Sequence, residues 1–248
     1  MIEMKRKISI LLLLVFSFYY TNKISTFIIN NSSLMKDINS YIDSYKTNSI
    51  NAIINNEYII PGLNGKKVNK LASFYNMKKD NYFLKSKIVY DEVKPDISID
   101  NNKDKIINKT RKNITIIVKD NKDIIEYANL NKIKLTRLIT YNDFNKNSFL
   151  EQINIDEKSD YLLNKYNMNK NICIIGFNNK DKCIKSKKLL VEPTYTLKDV
   201  LFINDRLSNG DIIFLDDRFK LDNFNYLLSI IKYHDFDIDY LSNNISEV

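Results

Sequence analysis

The chain has 248 residues, of which 44% are hydrophobic and 12% aromatic, so it is long and apolar enough to bury a real core. Its formal net charge is +8, which favours either a solvated basic surface or attraction to anionic polymers such as an acidic cell envelope. The basic residues are spread along the chain, with no Arg-rich helix and no aromatic-spaced RNA-binding motif, so nucleic acid is excluded as a partner.

The first 30 residues are predicted to be a membrane anchor. Three basic residues, Lys5 to Lys7, precede an uncharged stretch from Ile8 to Tyr20. A positive flank before an apolar run is typical of a signal sequence, and no A-x-A cleavage motif follows it. We therefore expect an uncleaved anchor over residues 1–30, with the basic flank in the cytoplasm and the rest of the chain exported. The alternative is a buried core helix.

Three shorter segments follow. Residues 31–57 carry a narrow apolar stripe at helical spacing, which predicts a helical stalk or, alternatively, a pairing helix in a dimer. Residues 58–100 combine strand, turn and helix signals and predict a small α+β segment. Residues 101–112 are polar and lack periodicity, so we predict a linker and a domain boundary there.

Residues 113–248 alternate strand and helix signals, as α/β folds do. The predicted strands are Ile114–Val118, Ile133–Thr140, Ile172–Phe177, Leu189–Tyr195, Ile212–Leu215 and Phe236–Leu241. Helices are predicted at Lys122–Asn131, within Asn147–Tyr166, at Leu197–Ser208 and from Leu221 onward. Six strands with intervening helices predict the α/β class and a shortened or incomplete (β/α) barrel.

The segment from Asn209 to Asp217 combines a helix stop, a buried strand and two carboxylates. Gly210 stands where a helix ends with a positive φ angle. The apolar run from Ile212 to Leu215 is typical of a parallel strand covered on both faces. Asp216 and Asp217 follow at the carboxyl end of that strand, where α/β folds usually place their sites. The alternative is a pair of surface acids in a loop.

The order of elements around this segment resembles the polysaccharide deacetylase family, the metal-dependent carbohydrate esterases, over residues 113–247. In that family the strand normally ends in Leu-x-His-Asp, whereas here Asp216 stands at the position of the catalytic His. Residues 58–95 also resemble the membrane-proximal part of exported deacetylase-like proteins of low-GC Gram-positive bacteria. The resemblance implies a fold of the deacetylase type.

The same resemblance implies a degenerate site. Active members carry Thr-Phe-Asp-Asp-Gly after their first strand, with the first Asp as general base and the second as metal ligand. Here those two positions hold Lys119 and Asp120. The family's His-x-x-x-His motif supplies two further metal ligands, and it has no counterpart because His234 is the only His in the chain. We therefore expect no cofactor.

Six residues at predicted strand ends are the candidates for a cleft: Lys119, Asp120, Glu192, Tyr195, Asp216 and Asp217. Asp120 and Asp216 are weak candidates for metal ligands, and with Asp217 they offer only oxygen atoms, which suit Ca²⁺ or Mg²⁺. Cys173 and Cys183 are ten residues apart and form either a disulfide, in an exported protein, or two unpaired thiols.

These features predict a single-pass protein of the cell membrane with its C-terminal domain outside the cytoplasm. The deacetylase-like domain is expected to be inactive and to bind a cell-envelope glycan or a membrane protein partner. Two alternatives stay open. One is a divergent metal-dependent deacetylase acting on N-acetylated envelope polysaccharide, and the other is a structural stalk protein that only assembles. No Ser-hydrolase, zinc-protease or dinucleotide motif occurs in the chain.

Overall fold

The computed structural model describes residues 2–145, 147–155, 171–198, 203 and 206–248. The chain divides into two compact units. The N-terminal unit comprises Met1–Asn48 and Gly65–Val93, and the C-terminal unit comprises Ser49–Asn64 and Lys94–Val248.

The described residues include seven α-helices and twelve β-strands. The helices are α1 (Ile2–Asn31), α2 (Ser33–Tyr41), α3 (Lys70–Met77), α4 (Lys122–Leu130), α5 (Lys180–Lys185), α6 (Leu221–Tyr233) and α7 (Leu241–Ile245). The strands are β1 (Ile53–Asn55), β2 (Tyr58–Ile60), β3 (Gly65–Val68), β4 (Tyr90–Val93), β5 (Ile106–Ile107), β6 (Thr115–Val118), β7 (Thr136–Ile139), β8 (Glu151–Asn154), β9 (Ile172–Ile174), β10 (Leu189–Val191), β11 (Tyr195–Leu197) and β12 (Ile212–Leu215).

Helix α1 is long and apolar enough to cross a membrane. Its segment Leu11–Asn31 has 21 residues and a mean hydropathy of 1.4. At about 1.5 Å per residue it spans about 31 Å, close to the thickness of a bilayer core. Its large apolar side chains are exposed, with Phe18 at 75% and Phe27 at 70%. This exposure favours a membrane anchor or a signal sequence over the alternative of a buried core helix.

The remainder of the N-terminal unit packs around α2 and α3. Leu34, Met35 and Ile38 of α2 meet Phe74 and Met77 of α3 in one buried cluster. Residues three and four positions apart lie on one face of a helix, which is why these side chains can share a core. Strands β3 and β4 of this unit pair antiparallel.

The C-terminal unit contains two five-stranded sheets, in the orders β1-β2-β5-β10-β9 and β11-β12-β6-β7-β8. Every pairing is parallel except that of β1 with β2. Ile107 and Val191 of the first sheet and Ile117 and Ile212 of the second belong to one buried cluster. The sheets therefore enclose a common interior, and the predicted incomplete α/β barrel is confirmed.

Strands β6 and β12 are covered on both faces, as their continuous apolar sequences predict. Ile117 faces the interior, whereas Ile116 and Val118 belong to a second cluster formed with the helices outside the barrel. Phe224 and Leu227 of α6 are fully buried in that outer cluster. The alternation of side chains along a strand accounts for both contacts.

Two predictions for the middle of the chain were wrong. Residues 101–112, predicted as a linker, contain β5, whose Ile106 and Ile107 are 3% and 1% exposed and pair with β10. A strand of two residues among charged neighbours shows no periodicity. The helix predicted in the stalk ends at Tyr41, and a 3₁₀ turn follows to Tyr45. Of the later apolar residues of that stripe, Ile53 and Ile54 belong to β1, and Ile50 forms an isolated bridge to Leu63.

Three further predictions are corrected near the end of the chain. Leu197, predicted to begin a helix, ends β11, which pairs with β12. The predicted closing strand is reduced to one bridge between Ile238 and Ile114, and Leu241 begins α7.

Strand β8 was missed because only Ile153 of its four residues is buried. The helix predicted within Asn147–Tyr166 and the one predicted at Leu197–Ser208 fall partly outside the described residues, which omit 156–170, 199–202 and 204–205. Gly210 has the predicted positive φ, of 86°.

Candidate functional site

The carboxyl ends of β6 and β12 lie side by side. Val118 pairs with Leu215, so the next residues, Lys119 and Asp216, occupy neighbouring positions just beyond the strand ends. The residues two places earlier on each strand contribute to the barrel interior. Because side chains alternate along a strand, Lys119 and Asp216 lie on the interior side of their segments. We refer to this edge of the sheet as the candidate cleft, since it brings together Lys119 and Asp216 of the six residues predicted to line one.

Lys119 is held by an acid and an aromatic ring. Its Nζ lies 3.4 Å from Oδ2 of Asp120 and 5.8 Å from the centroid of the Phe177 ring. Asp120 itself is 64% exposed, so the ion pair contributes only about 0–1 kcal/mol to stability. The geometry places a cation at the position where the family resemblance implies a general base.

Asp216 is bound by Arg218 through two hydrogen bonds. Nε of Arg218 donates to Oδ1 at 2.9 Å, and Nη2 donates to Oδ2 at 3.1 Å. The backbone N–H of Arg218 donates to Oδ1 as well, at 3.0 Å. These donors, the side-chain hydrogen bond first, hold the pKa of Asp216 well below its usual range. Asp217 is 70% exposed and lies 4.0 Å from Nε of Arg218.

Asn121 joins the two loops that follow β6 and β12. Its Oδ1 accepts from the backbone N–H of Ile124 at 3.3 Å and so caps α4. Its Nδ2 donates to the backbone carbonyl of Phe219 at 2.7 Å. Asn121 is 7% exposed, so these bonds are shielded from water. The buried side-chain amide of Asn121 therefore links the two loops at this edge of the sheet.

Asp143 is a fourth acid in this region and lies in the loop after β7. The side chain of Thr140 donates to its carboxylate, and this bond is the main reason that the pKa of Asp143 is lowered. The positive charges of Arg137 and Lys119 lower it further. The charge of Lys119 therefore acts on an acid of the neighbouring loop as well as on Asp120.

Two aromatic rings line the interior side of the same edge. The rings of Phe177 and Phe214 lie 5.0 Å apart with an interplanar angle of 58°. Both side chains are partly exposed, and Lys119 lies over the Phe177 ring. Ligand sites combine apolar surface with a few placed polar groups, and this edge offers both.

Glu192 and Tyr195 do not join this cleft. Glu192 follows β10, whose Val191 faces the barrel interior, so Glu192 lies on the opposite face of that strand. A side-chain hydrogen bond with Glu192 raises the pKa of Tyr58. Tyr195 begins β11, and its hydroxyl donates to the carbonyl of Arg206 at 3.1 Å. Tyr195 pairs with Ile213, near the start of β12, and therefore stands away from the carboxyl edge. The prediction grouped both with the cleft because it treated Leu189–Tyr195 as one strand, whereas the structure separates β10 from β11.

The residues at this edge do not suit the metal that the family resemblance implies. Asp120 and Asp216 are each paired with a cation, Lys119 and Arg218 respectively. Within the part of the chain that the structure describes, no three His, Cys, Asp or Glu side chains come together as a metal-binding group. A divalent ion would have to displace both cations.

Cys173 of β9 and Cys183 of α5 form a disulfide with their Cα atoms 6.2 Å apart. Of the two states left open by the sequence, the structure has the paired one.

His234 follows α6, and its ring stacks on Phe236 at 5.6 Å. It lies near Ile238, which bridges to the start of β6, and so stands away from the carboxyl edge.

Five residues at this edge were not among the predicted site residues. Arg218 could have been found, because it lies two residues after Asp216 and a planar guanidinium reaches a nearby carboxylate readily. Asn121 carried the signal of a helix cap directly before α4. Phe177, Phe214 and Asp143 gave no such signal, since their place at the cleft depends on how separate segments meet.

Comparisons with known proteins agree with this architecture. No family model and no curated protein matches the chain. The wild-type BA3943, a CE4 family pseudoenzyme from Bacillus anthracis, is 15% identical, with a TM-score of 0.51 over 86% of this chain and 95% of that one. The chain has a polysaccharide deacetylase-like fold. A mutant of that pseudoenzyme with restored enzymatic activity is 16% identical, with a TM-score of 0.54 over 86% of this chain and 98% of that one.

The similarity covers more of this chain than residues 113–247, where the sequence resemblance was placed. Strands β1, β2 and β5 lie upstream of, or within, the expected linker, yet they belong to one sheet of the deacetylase-like fold. The earlier segments therefore complete the fold instead of only preceding it.

Proposed function

We propose that the protein is exported and membrane-anchored, and that its deacetylase-like cleft binds a cell-envelope glycan without hydrolysing it. The apolar, exposed segment of α1 supports the anchor. The disulfide between Cys173 and Cys183 supports export, because disulfides persist in oxidising compartments. The basic flank at residues 5–7 supports an orientation with the N-terminus in the cytoplasm.

One observation carries the non-catalytic part of the proposal: Lys119 stands where a general base is needed. A deacetylase must have a carboxylate to take the proton from a metal-bound water. The ammonium of Lys119 accepts no proton and repels a divalent cation. The other candidate acid, Asp216, is bound by Arg218. The solved relative is itself described as a pseudoenzyme.

The surface of the cleft supports binding. Phe177 and Phe214 present apolar ring surface, and Lys119 and the exposed Asp120 and Asp217 surround it with groups that hydrogen-bond hydroxyls and amides. N-acetylated sugars offer both apolar faces and such polar groups. A protein partner is the competing occupant of the same surface.

Binding is tested by titrating the full chain in detergent with soluble N-acetylated oligosaccharides in a calorimeter. We expect saturable binding that Phe177→Ala abolishes. The matched control is Phe149→Ala, because Phe149 is also a partly exposed aromatic residue but precedes β8, at the opposite end of the sheet. An absence of binding by the unaltered chain, or equal losses in both variants, would contradict the proposal.

A further inference from the structure

A groove lies between the C-terminal half of α1 and helix α3. Six of its lining residues are Ile24, Ile28, Ile29, Phe74, Tyr75 and Lys78, and its volume is about 440 Å³. Apolar side chains form most of its wall, with Lys78 as the charged group. Both helices belong to the N-terminal unit, and the groove opens directly beside the segment of α1 that can cross a membrane.

Helix α3 has an apolar face that its own unit leaves uncovered. Phe74 and Met77 point into the core, whereas Leu71 and Tyr75, four residues apart, are 48% and 57% exposed. Lys78 follows on the same face, three residues after Tyr75, and its Nζ lies 6.0 Å from the centroid of that ring. Apolar residues with a Tyr and a Lys at one end are typical of a helix that lies at a membrane surface.

The facing wall of the groove is equally uncovered. Ile24 and Ile28, one turn apart on α1, are 57% and 63% exposed. They continue the apolar surface of the span and end close to its C-terminal end at Asn31. If α1 crosses a bilayer, this end stands at the level of the headgroups, because the span matches the thickness of the hydrocarbon core. In that case the groove extends from the level of the lipid acyl chains to the level of the headgroups.

We infer that the groove holds a membrane phospholipid, with an acyl chain along Ile24, Ile28 and Phe74 and the phosphate at Lys78. The inference rests on the membrane anchor of the proposed function. It follows from the continuity of the groove with the exposed face of α1 and from the match between the Lys78 ammonium and a phosphate. Helix α3 thereby becomes a second membrane contact, which fixes the N-terminal unit against the bilayer.

The chain has no Trp, so single Trp substitutions report on lipid contact without background. Tyr75→Trp probes the groove, Phe16→Trp probes the span, and Tyr226→Trp in α6 serves as the matched control. All three side chains are 57% exposed. Each full-length variant is reconstituted into vesicles of phosphatidylcholine and phosphatidylglycerol that carry bromine near the headgroup end of the acyl chains.

We expect bromine to quench the emission of the Trp at positions 16 and 75 and to leave that at position 226 unchanged. Quenching at 16 without quenching at 75 would overturn the groove inference and leave the anchor standing. An absence of quenching at 16 would overturn the anchor and, with it, the lipid site. Equal quenching at 75 and 226 would show that α3 makes no selective contact.

The phosphate contact is tested in the Tyr75→Trp background. Lys78→Glu places a carboxylate against the phosphate and should reduce the quenching of the Trp at position 75. Lys79→Glu makes the same charge change one residue further on, outside the groove, and should leave the quenching unaltered. Equal effects of both changes would indicate a general charge effect at the surface and would remove Lys78 as the phosphate ligand.

Discussion

Arg218 decides the chemical character of Asp216. A bidentate guanidinium stabilises the ionised carboxylate, so Asp216 loses its proton at a lower pH than an ordinary Asp does. Its pKa is lowered in the fold, so its stabilising contribution is present above the unfolded pKa of about 3.9 and is lost as the pH falls through the folded value. The position of the family's catalytic His is thus held by a group that neither donates nor accepts protons there.

Arg218→Ala should move the pKa of Asp216 upward, towards that of an ordinary Asp. The substitution removes two of the donors to the carboxylate and leaves the backbone N–H of residue 218 in place. The pKa is measured by carbon NMR titration of the Asp216 carboxyl. Lys220→Ala, a neighbouring exposed cation that makes no contact with Asp216 in the described structure, is the control. An unchanged pKa in Arg218→Ala would refute the assigned cause.

Tyr240 should make the fold sensitive to alkaline pH. Burial is the main cause that raises its pKa, followed by the charges of Asp239 and Glu151. A raised folded pKa means that stability is complete below the unfolded value of about 10 and falls as the pH rises beyond it. Chemical denaturation should therefore show a loss above pH 10 that is smaller in Tyr240→Phe. Tyr226→Phe, at an exposed position, should leave the loss unaltered.

Helix α6 secures the site by packing the strand that carries Asp216. Its Phe224 and Leu227 are fully buried against the outer face of the sheet, while Tyr226 of the same helix is 57% exposed. The two faces follow from the helical period. The stability of the strand that precedes Asp216 therefore depends on side chains of α6 that do not line the cleft.

Phe224→Ala should lower the free energy of unfolding by about 3 to 5 kcal/mol, because it removes a buried aromatic ring and leaves a cavity. Tyr226→Ala in the same helix should change it by less than about 0.5 kcal/mol, since the residue packs little surface. Urea denaturation followed by circular dichroism measures both. Similar costs for the two substitutions would show that α6 does not pack as described.

The sequence identified those elements whose apolar runs are long. Strands β6 and β12 were predicted within one residue, because both of their faces are buried. Strands β5 and β8 were not predicted because β5 is only two residues long and β8 has a single apolar residue, Ile153. Lys119 and Asp120 are adjacent in the sequence, so their pairing is local. The positions of Phe177 and Asp143 near Lys119 depend instead on loops that the barrel brings together.

The whole molecule combines a candidate membrane span with a deacetylase-like fold. A reporter enzyme that is active only outside the cytoplasm, fused after Val248, should be active in cells. The same fusion on a chain that lacks residues 1–30 should be inactive. Activity without the N-terminal segment, or inactivity with it, would contradict the proposed orientation and localisation.

The disulfide offers an independent test of the same localisation. When chains isolated from membranes are treated with a thiol-reactive label, Cys173 and Cys183 should stay unlabelled until a reductant is added. Exposure to the cytoplasm would keep both thiols reduced. Labelling before reduction would therefore place the C-terminal unit on the cytoplasmic side.

Acetate release from N-acetylated oligosaccharides by the purified full-length chain tests the central claim most directly. We predict no release, with or without added Zn²⁺, Co²⁺ or Mn²⁺, because Lys119 replaces the base and Arg218 holds Asp216. The Lys119→Asp variant should also release no acetate, since the chain has no second His to complete a metal site. Metal-dependent release by the unaltered chain that Asp120→Asn abolishes would contradict the account and identify the protein as a divergent deacetylase.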